Sequence, residues 1–310
     1  MTHTPVPPRP VLSPDGQRIA CADGEGVWLI DHTGPHRVST THAVALASWG
    51  SDGVVVAGAR SVSSLAPDGR VRWTRAFDAD AGALAVADGL IAIGLTGDRS
   101  WVELVDPATA ESTSSIDVGA AVFEGLLATP EAVAFWGFAG ADGDTGPWFG
   151  RLATIAGVDM WTGDGAQSEP QGVLWPLAPA RSDRECIGVF DLSSLRILQR
   201  TDDDAWTQAD TRPWPGRGLS ASSAGGRFVA TLTADWNGLA DVHAVRVVDL
   251  RMNSVVLETG VAEPGQFPTI AVDDDARLTL ASGFAGGEVR VLTCSVDGTT
   301  TVRHRLTEAV

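Results

Sequence analysis

The 310 residues include no lysine and no tyrosine, so all 22 basic side chains are arginine. A Walker-type phosphate loop needs its lysine and Schiff-base chemistry needs a side-chain amine, so neither is available. A tyrosine nucleophile or proton donor is excluded too. Cysteine is scarce: Cys21, Cys186 and Cys294 are odd in number and widely separated, unlike a disulfide framework or a zinc spacing. Cys21 and Cys294 lie in apolar strand-like runs, where a buried thiol is expected. Positive charge is also short. The formal net charge is −17, which predicts no nucleic-acid partner and no anionic membrane surface, because both need a basic footprint. No run of eighteen apolar residues occurs, and the start, MTHTPVPPRP, has no apolar h-region. The expectation is a cytoplasmic monomer in a reducing compartment. Residues 1–8 are expected to be disordered and 9–310 to form a single domain.

What the chain does contain is turns. The stretch VLSPDGQRIACADGEGVWLIDHTG (11–34) reads strand, turn, strand, turn, with Pro-Asp-Gly and Asp-Gly as hairpin signals: proline sets φ and glycine supplies positive φ. Residues 45–77 and 83–118 repeat that grammar, each with four short strands. The third strand of each unit ends at a landmark: Asp31, Asp68, Asp106, near Ala156, Asp191, Asp249 and Asp297. A period of about 40 residues with four strands is that of a propeller blade. The fold class predicted is all-β: a closed seven-bladed β-propeller of four-stranded antiparallel blades, with boundaries near 41, 80, 119, 166, 215 and 264. The fifth unit offers no clear second strand between QGVLWPLAPA and ECIGVFDL. Six blades with an irregular insertion is therefore the fallback. No stretch sustains a helical apolar period.

These units resemble the broad superfamily of WD-repeat-like and quinoprotein-type (YVTN-like, PQQ-like) propellers. SPDGQRIA is similar to the first hairpin of WD-like blades, LVDPATAESTSSI to the YVTN-type hairpin, and LAPDGRVRW to the quinoprotein-type repeat. No blade ends in a clear Trp-Asp pair and no Gly-His pair opens one. No position here matches the ligands of a quinone cofactor, so no cofactor is expected. Such hairpins imply a fold and not a function.

With the strands of a blade lettered a to d, the a–b and c–d turns share one end and the b–c and d–a loops share the other. The first end holds tight turns: SPDG, GSDG, VADG, SSAGG, APDG and SVDG. The second is assigned the long loops 94–101, 140–148, 162–171, 201–216 and 233–241, rich in Asp and Trp. Long loops on a rigid scaffold are where binding concentrates. The candidate ligand- or partner-binding residues are Trp101, Asp142, Asp144, Trp148, Trp206, Trp214, Asp235, Trp236 and His243. Trp faces attract cations and stack on flat rings, so the expected ligand is a basic or aromatic protein segment or small molecule. In the structural reading of the same residues, Trp anchors long loops and Asp caps turns.

Catalytic motifs are missing. GLSAS (218–222) fails the G-x-S-x-G pattern at its last position. The six histidines form no H-E-x-x-H. DGDTG (142–146) alternates oxygen ligands but lacks the later positions of a calcium loop, so no metal is expected. The leading expectation is a non-catalytic interaction or scaffold propeller. The alternative is a small-molecule lyase, isomerase or hydrolase, including a carboxylate-based glycosidase, that uses acidic side chains near the central channel with His243.

Overall fold

A computed structural model describes residues 9–22, 26–38, 40, 44, 46–50, 53–129, 132–140, 148–154, 157–162, 172–178, 186–190, 194–202, 206–213, 219–234, 243–261 and 265–306. Among them every regular element is a strand. Seven four-stranded antiparallel sheets, each built from four consecutive strands, make this a seven-bladed β-propeller.

The chain divides into two compact units. One holds blade 1 (β1 Arg9–Leu12, β2 Ile19–Ala22, β3 Val27–Asp31, β4 Gly34–Val38) and blade 5 (β17 Gly172–Leu177, β18 Cys186–Phe190, β19 Ser194–Arg200, β20 Trp206–Pro213). It also holds blade 6 (β21 Ser220–Ser222, β22 Phe228–Ala234, β23 His243–Asp249, β24 Ser254–Val261) and blade 7 (β25 Gln266–Val272, β26 Leu278–Phe284, β27 Glu288–Ser295, β28 Gly298–Arg305). The other unit holds blade 2 (β5 Leu46–Gly50, β6 Gly53–Ala57, β7 Ser61–Leu65, β8 Val71–Ala76) and blade 3 (β9 Asp80–Ala87, β10 Leu90–Thr96, β11 Ser100–Val105, β12 Ser112–Gly119). Blade 4 completes it (β13 Ala121–Ala128, β14 Ala132–Ala139, β15 Trp148–Thr154, β16 Gly157–Thr162). Within each unit the a strands lie side by side: β17, β21, β25 and β1 in the first, β5, β9 and β13 in the second. The expected boundaries at 80 and 119 fall within a residue of the segments between blades; those at 41, 166, 215 and 264 lie outside the described residues, between the last described strand of one blade and the first of the next. Blade 7 takes all four strands from its own stretch.

Side-chain chemistry explains the gradient across each blade. Strand b is apolar on both faces, as in β10, whose Ile91, Ala92, Ile93 and Leu95 are fully buried. Strand d is polar and β-branched, as in β12 (STSSIDVG), which is mostly exposed. Neighbouring blades then share apolar layers. Between blades 3 and 4, Phe123, Phe135 and Phe149 stack edge to face at 6.3 and 6.4 Å. Gly94 makes room there, since a Cβ on it would lie 2.9 Å from the Phe123 ring. Between blades 7 and 1, Ala271, Ala281 and Val289 cover Leu12, Ile19, Cys21, Trp28 and Ile30.

The opening stretch is one copy of a repeated device. In blade 1 the Ser13 amide donates to the Arg18 carbonyl (2.9 Å) and Gly16 N–H donates to the Ser13 carbonyl (2.8 Å). Blade 6 repeats both bonds with Ser223, Phe228 and Gly226 at 2.9 and 2.8 Å. Four of the landmark aspartates are equally physical: the carboxylates of Asp31, Asp68, Asp106 and Asp249 each accept an amide two residues on and close the c–d turn. Thr33 N–H donates to Asp31 (2.7 Å), Arg70 to Asp68 (3.0 Å), Ala108 to Asp106 (2.7 Å) and Arg251 to Asp249 (2.8 Å).

Blade 5 corrects the sequence reading. CIGVF, expected as the third strand ending at Asp191, is the second, and SLRILQR is the third. The first strand, GVLWPL, shifts register between Leu174 and Leu177, because Pro176 has no amide for the ladder. The six-bladed fallback falls away.

Candidate functional site

The blade 5 correction moves one loop. With β19 as strand c and β20 as strand d, the 201–205 segment connects c to d and so belongs to the tight-turn end. Trp206 opens β20 opposite Arg200, and Asp210 lies within that strand. The 97–99 loop, the ends of β14 and β15, and the ends of β22 and β23 lie at the b–c end, as expected. Asp142, Asp144, Trp214, Asp235 and Trp236 fall outside the described residues. Trp148 and His243 are placed in backbone only, as the first residues of β15 and β23, opposite Phe138 and Ala234.

Two of the proposed tryptophans have described side chains, and both are built into blades. Trp101 packs half-buried in the layer between blades 2 and 3, and its indole N–H donates to Glu103 at 3.1 Å. Glu103 is also paired with Arg75 of blade 2 (3.1 Å) and accepts the Ser112 hydroxyl. Trp73 follows the same habit, donating to the Pro107 carbonyl at 2.8 Å. Trp206 is partly buried and its indole nitrogen has no hydrogen-bond partner.

Carboxylates with a resolved shift all titrate below the usual carboxylate range, among them Asp31, Asp106, Asp117, Asp249 and Glu288. The Thr33 hydroxyl holds Asp31 down, and backbone amides of Thr109 and Ala108 do so for Asp106. Arg99 pairs with Asp117, fastening the b–c loop of blade 3 to its outer strand. Arg227 pairs at 2.7 Å with Asp249, whose side chain is only 1% exposed. Such groups stay ionised and make poor proton donors. Among the described residues no group of three or more His, Cys, Asp or Glu could hold a metal ion.

Two features escaped the sequence reading. One is a cleft of about 240 Å³ between blades 5 and 6, lined by Leu195, Pro213, Val248, Leu250 and Val255 beside Arg212. The Arg212 charge is satisfied there, donating to Asp210 (2.8 Å) and to the Leu250 carbonyl (3.0 Å). The other is a basic block at the b–c and d–a end of blade 7. The β27–β28 register sets Glu288 opposite Arg305 and Arg290 opposite Arg303, which puts all four on one face. Arg290 pairs with Glu288 and lies over the Phe284 ring at 3.8 Å. The alternating arginines of VRHR were the available signal, masked by the acidic total.

The opposite end of the first unit is occupied by structure. Ala178 N–H donates to the Gly226 carbonyl (2.8 Å), Ser222 to the Trp175 carbonyl (2.7 Å) and Gly225 N–H to Asp274 (2.8 Å), lacing blades 5, 6 and 7 together.

No family model matches the sequence. No curated protein matches it either. Solved structures do share the fold. The complex of KlAtg21 with the coiled coil of AgAtg16 superposes with a TM-score of 0.64 at 11% identity, over 96% of this chain and 99% of that one. The Dos1 propeller gives 0.58 at 13%, over 99% and 96%. Hydrazine synthase of Kuenenia stuttgartiensis gives 0.60 at 11%, over 99% and 97%. A complex with a coiled coil and an enzyme are both similar at 11% identity, so the likeness carries the propeller fold and no activity.

Proposed function

We propose that the protein is a non-catalytic interaction propeller of one domain, in a reducing cytoplasm, that offers acidic, Trp-bearing b–c and d–a loops to a basic or aromatic ligand. The observation that carries this is the use of its carboxylates. Those with resolved shifts are held ionised as turn acceptors and ion-pair partners, which suits recognition of a cation better than proton transfer. In blades 5 to 7 the tight-turn end is laced by hydrogen bonds between blades, which leaves the other end for loops of variable length. The coiled-coil complex among the similar folds supports a protein partner. Three buried free thiols support the reducing compartment. The hairpin motifs support a WD-repeat-like or quinoprotein-type lineage.

In this reading Trp148, Trp214 and Trp236 are the anchors and Asp142, Asp144 and Asp235 the polar selectors. Trp101 and Trp206 are left to packing. The test is fluorescence anisotropy with a labelled arginine-rich decapeptide, on the parent and on a Trp214→Ala/Trp236→Ala variant shown to be folded by circular dichroism. Loss of a true anchor costs about 2 kcal/mol, or some thirtyfold in affinity. Undiminished binding by the double variant, or none by the parent, would overturn the assignment.

A further inference from the structure

We propose that the free edge of β28 is a docking site for an extended peptide with acidic residues at alternate positions, which adds to blade 7 as a fifth strand. This surface is separate from the acidic loops and does not rest on the reading above. β28 is the last strand of its sheet, and seven of its eight residues are exposed. Outer strands normally protect themselves by bulging, because an open row of amides and carbonyls invites pairing. Here the outer pairs of blades 2 to 6 each break register at least once. The β27–β28 pair runs through all eight residues with no break. Its outer strand, GTTTVRHR, is rich in β-branched residues and has no proline.

Charge selects the occupant. Arg303 and Arg305 are exposed, two residues apart on one face, about 6.7 Å along the strand. Arg290 stands beside Arg303 on that face, and among the described residues of this strand pair the carboxylate between the three guanidiniums, Glu288, is already paired with Arg290. Side chains two apart on an added strand recur at the same spacing, so carboxylates at i and i+2 meet Arg303 and Arg305 together. On the opposite face, next to Arg303, Val302 is 51% exposed and offers an apolar contact. A helix or a globular acidic patch matches neither the period nor the open ladder. The chain's net charge of −17 disfavours non-specific attraction of acidic peptides to the molecule as a whole.

The probe is a fluorescein-labelled peptide of Thr and Val with three Glu at alternate positions, followed by anisotropy. Three controls accompany it: the same composition with the Glu contiguous, a pair of alternating peptides N-methylated at every second amide in the two possible phases, and an Arg303→Gln/Arg305→Gln variant checked by its melting profile. The expected result is saturable binding that weakens tenfold or more in the variant, for the contiguous peptide and on N-methylation of the edge-facing amides. Equal binding of the contiguous or of both N-methylated peptides would reduce the effect to simple ion attraction and overturn the proposal. The N-methylated peptides test the parent itself, so misfolding of the variant would not rescue it. A parent that dimerises in solution, with the dimer lost in the variant, would assign the edge to a second copy of the chain and also overturn it.

Discussion

Asp249 shows how much a single carboxylate does here: it closes the c–d turn of blade 6 through the amides of Arg251 and Met252 and holds Arg227. Its folded pKa is lowered, chiefly by Arg227. The stability it provides is therefore complete above the unfolded carboxylate value near 4 and is lost as pH falls through the folded value. Burial lowers His304 in the same sense, so its share is lost as pH falls below about 6.5. A Tm-against-pH series should show a shallow decline starting near pH 6.5 that His304→Gln removes, and a steeper one below about pH 4 that Asp249→Asn flattens. A stability flat from pH 7 to 3 would contradict both. Trp206 makes the opposite prediction. Its unpartnered indole N–H costs about 1 kcal/mol of desolvation, so Trp206→Phe should melt no lower than the parent in calorimetry. The cysteines give a count: all three are buried and outside any disulfide, so a thiol reagent should react with none in the native protein and three in denaturant.

At the level of the strand, the b position is the one that cannot tolerate charge. Ile91 is fully buried in β10 among Ile93, Leu95 and Val105. Ile91→Asp buries an unpaired carboxylate and should cost about 4 kcal/mol or more by chemical denaturation. Gly94→Leu should also destabilise, because the Phe123 ring already occupies that space. Strands of this kind were legible in the sequence. VVVAGA, LIAIGL, RFVATLT and RLTLAS all read as second strands and lie in β6, β10, β22 and β26. They are β-rich runs dominated by apolar residues; the first three follow Asp-Gly or Gly-Gly turns and the last follows Asp-Asp-Asp-Ala, a signal that needs no tertiary context. Blade 5 was illegible because Pro176 interrupts its first strand, and because Asp191 after CIGVF imitates the turn that closes third strands elsewhere. Charge was legible only as a total. The pairing of Arg290 with Arg303 exists once a register is known, and register is a property of two strands. Trp101 looked like a loop residue because Ser100 and Trp101 open β11; its burial comes from blade 2, which no local pattern reports.

At the scale of the whole chain, blades within a unit cover one another's apolar faces, so stability within a unit is shared. Ending the chain after Val261 removes Ala271, Ala281 and Val289 from blade 1, and Val272, Leu278 and Leu280 from blade 6. The truncated chain should bind a hydrophobic dye and lose its sharp thermal transition; a clean cooperative melt would show that the blades stand alone. The seam between blades 7 and 1 has a further consequence during synthesis. Trp28 and Ile30 leave the ribosome about 260 residues before Val289, which at roughly 5–20 residues per second is a wait of about 13–50 s. Through that interval the large side chains are made and their cover, mostly alanine and valine, is not. The purified protein carries no trace of this delay. The cell does: soluble yield should fall when nascent-chain chaperones are depleted, even though the finished molecule melts at an unchanged temperature.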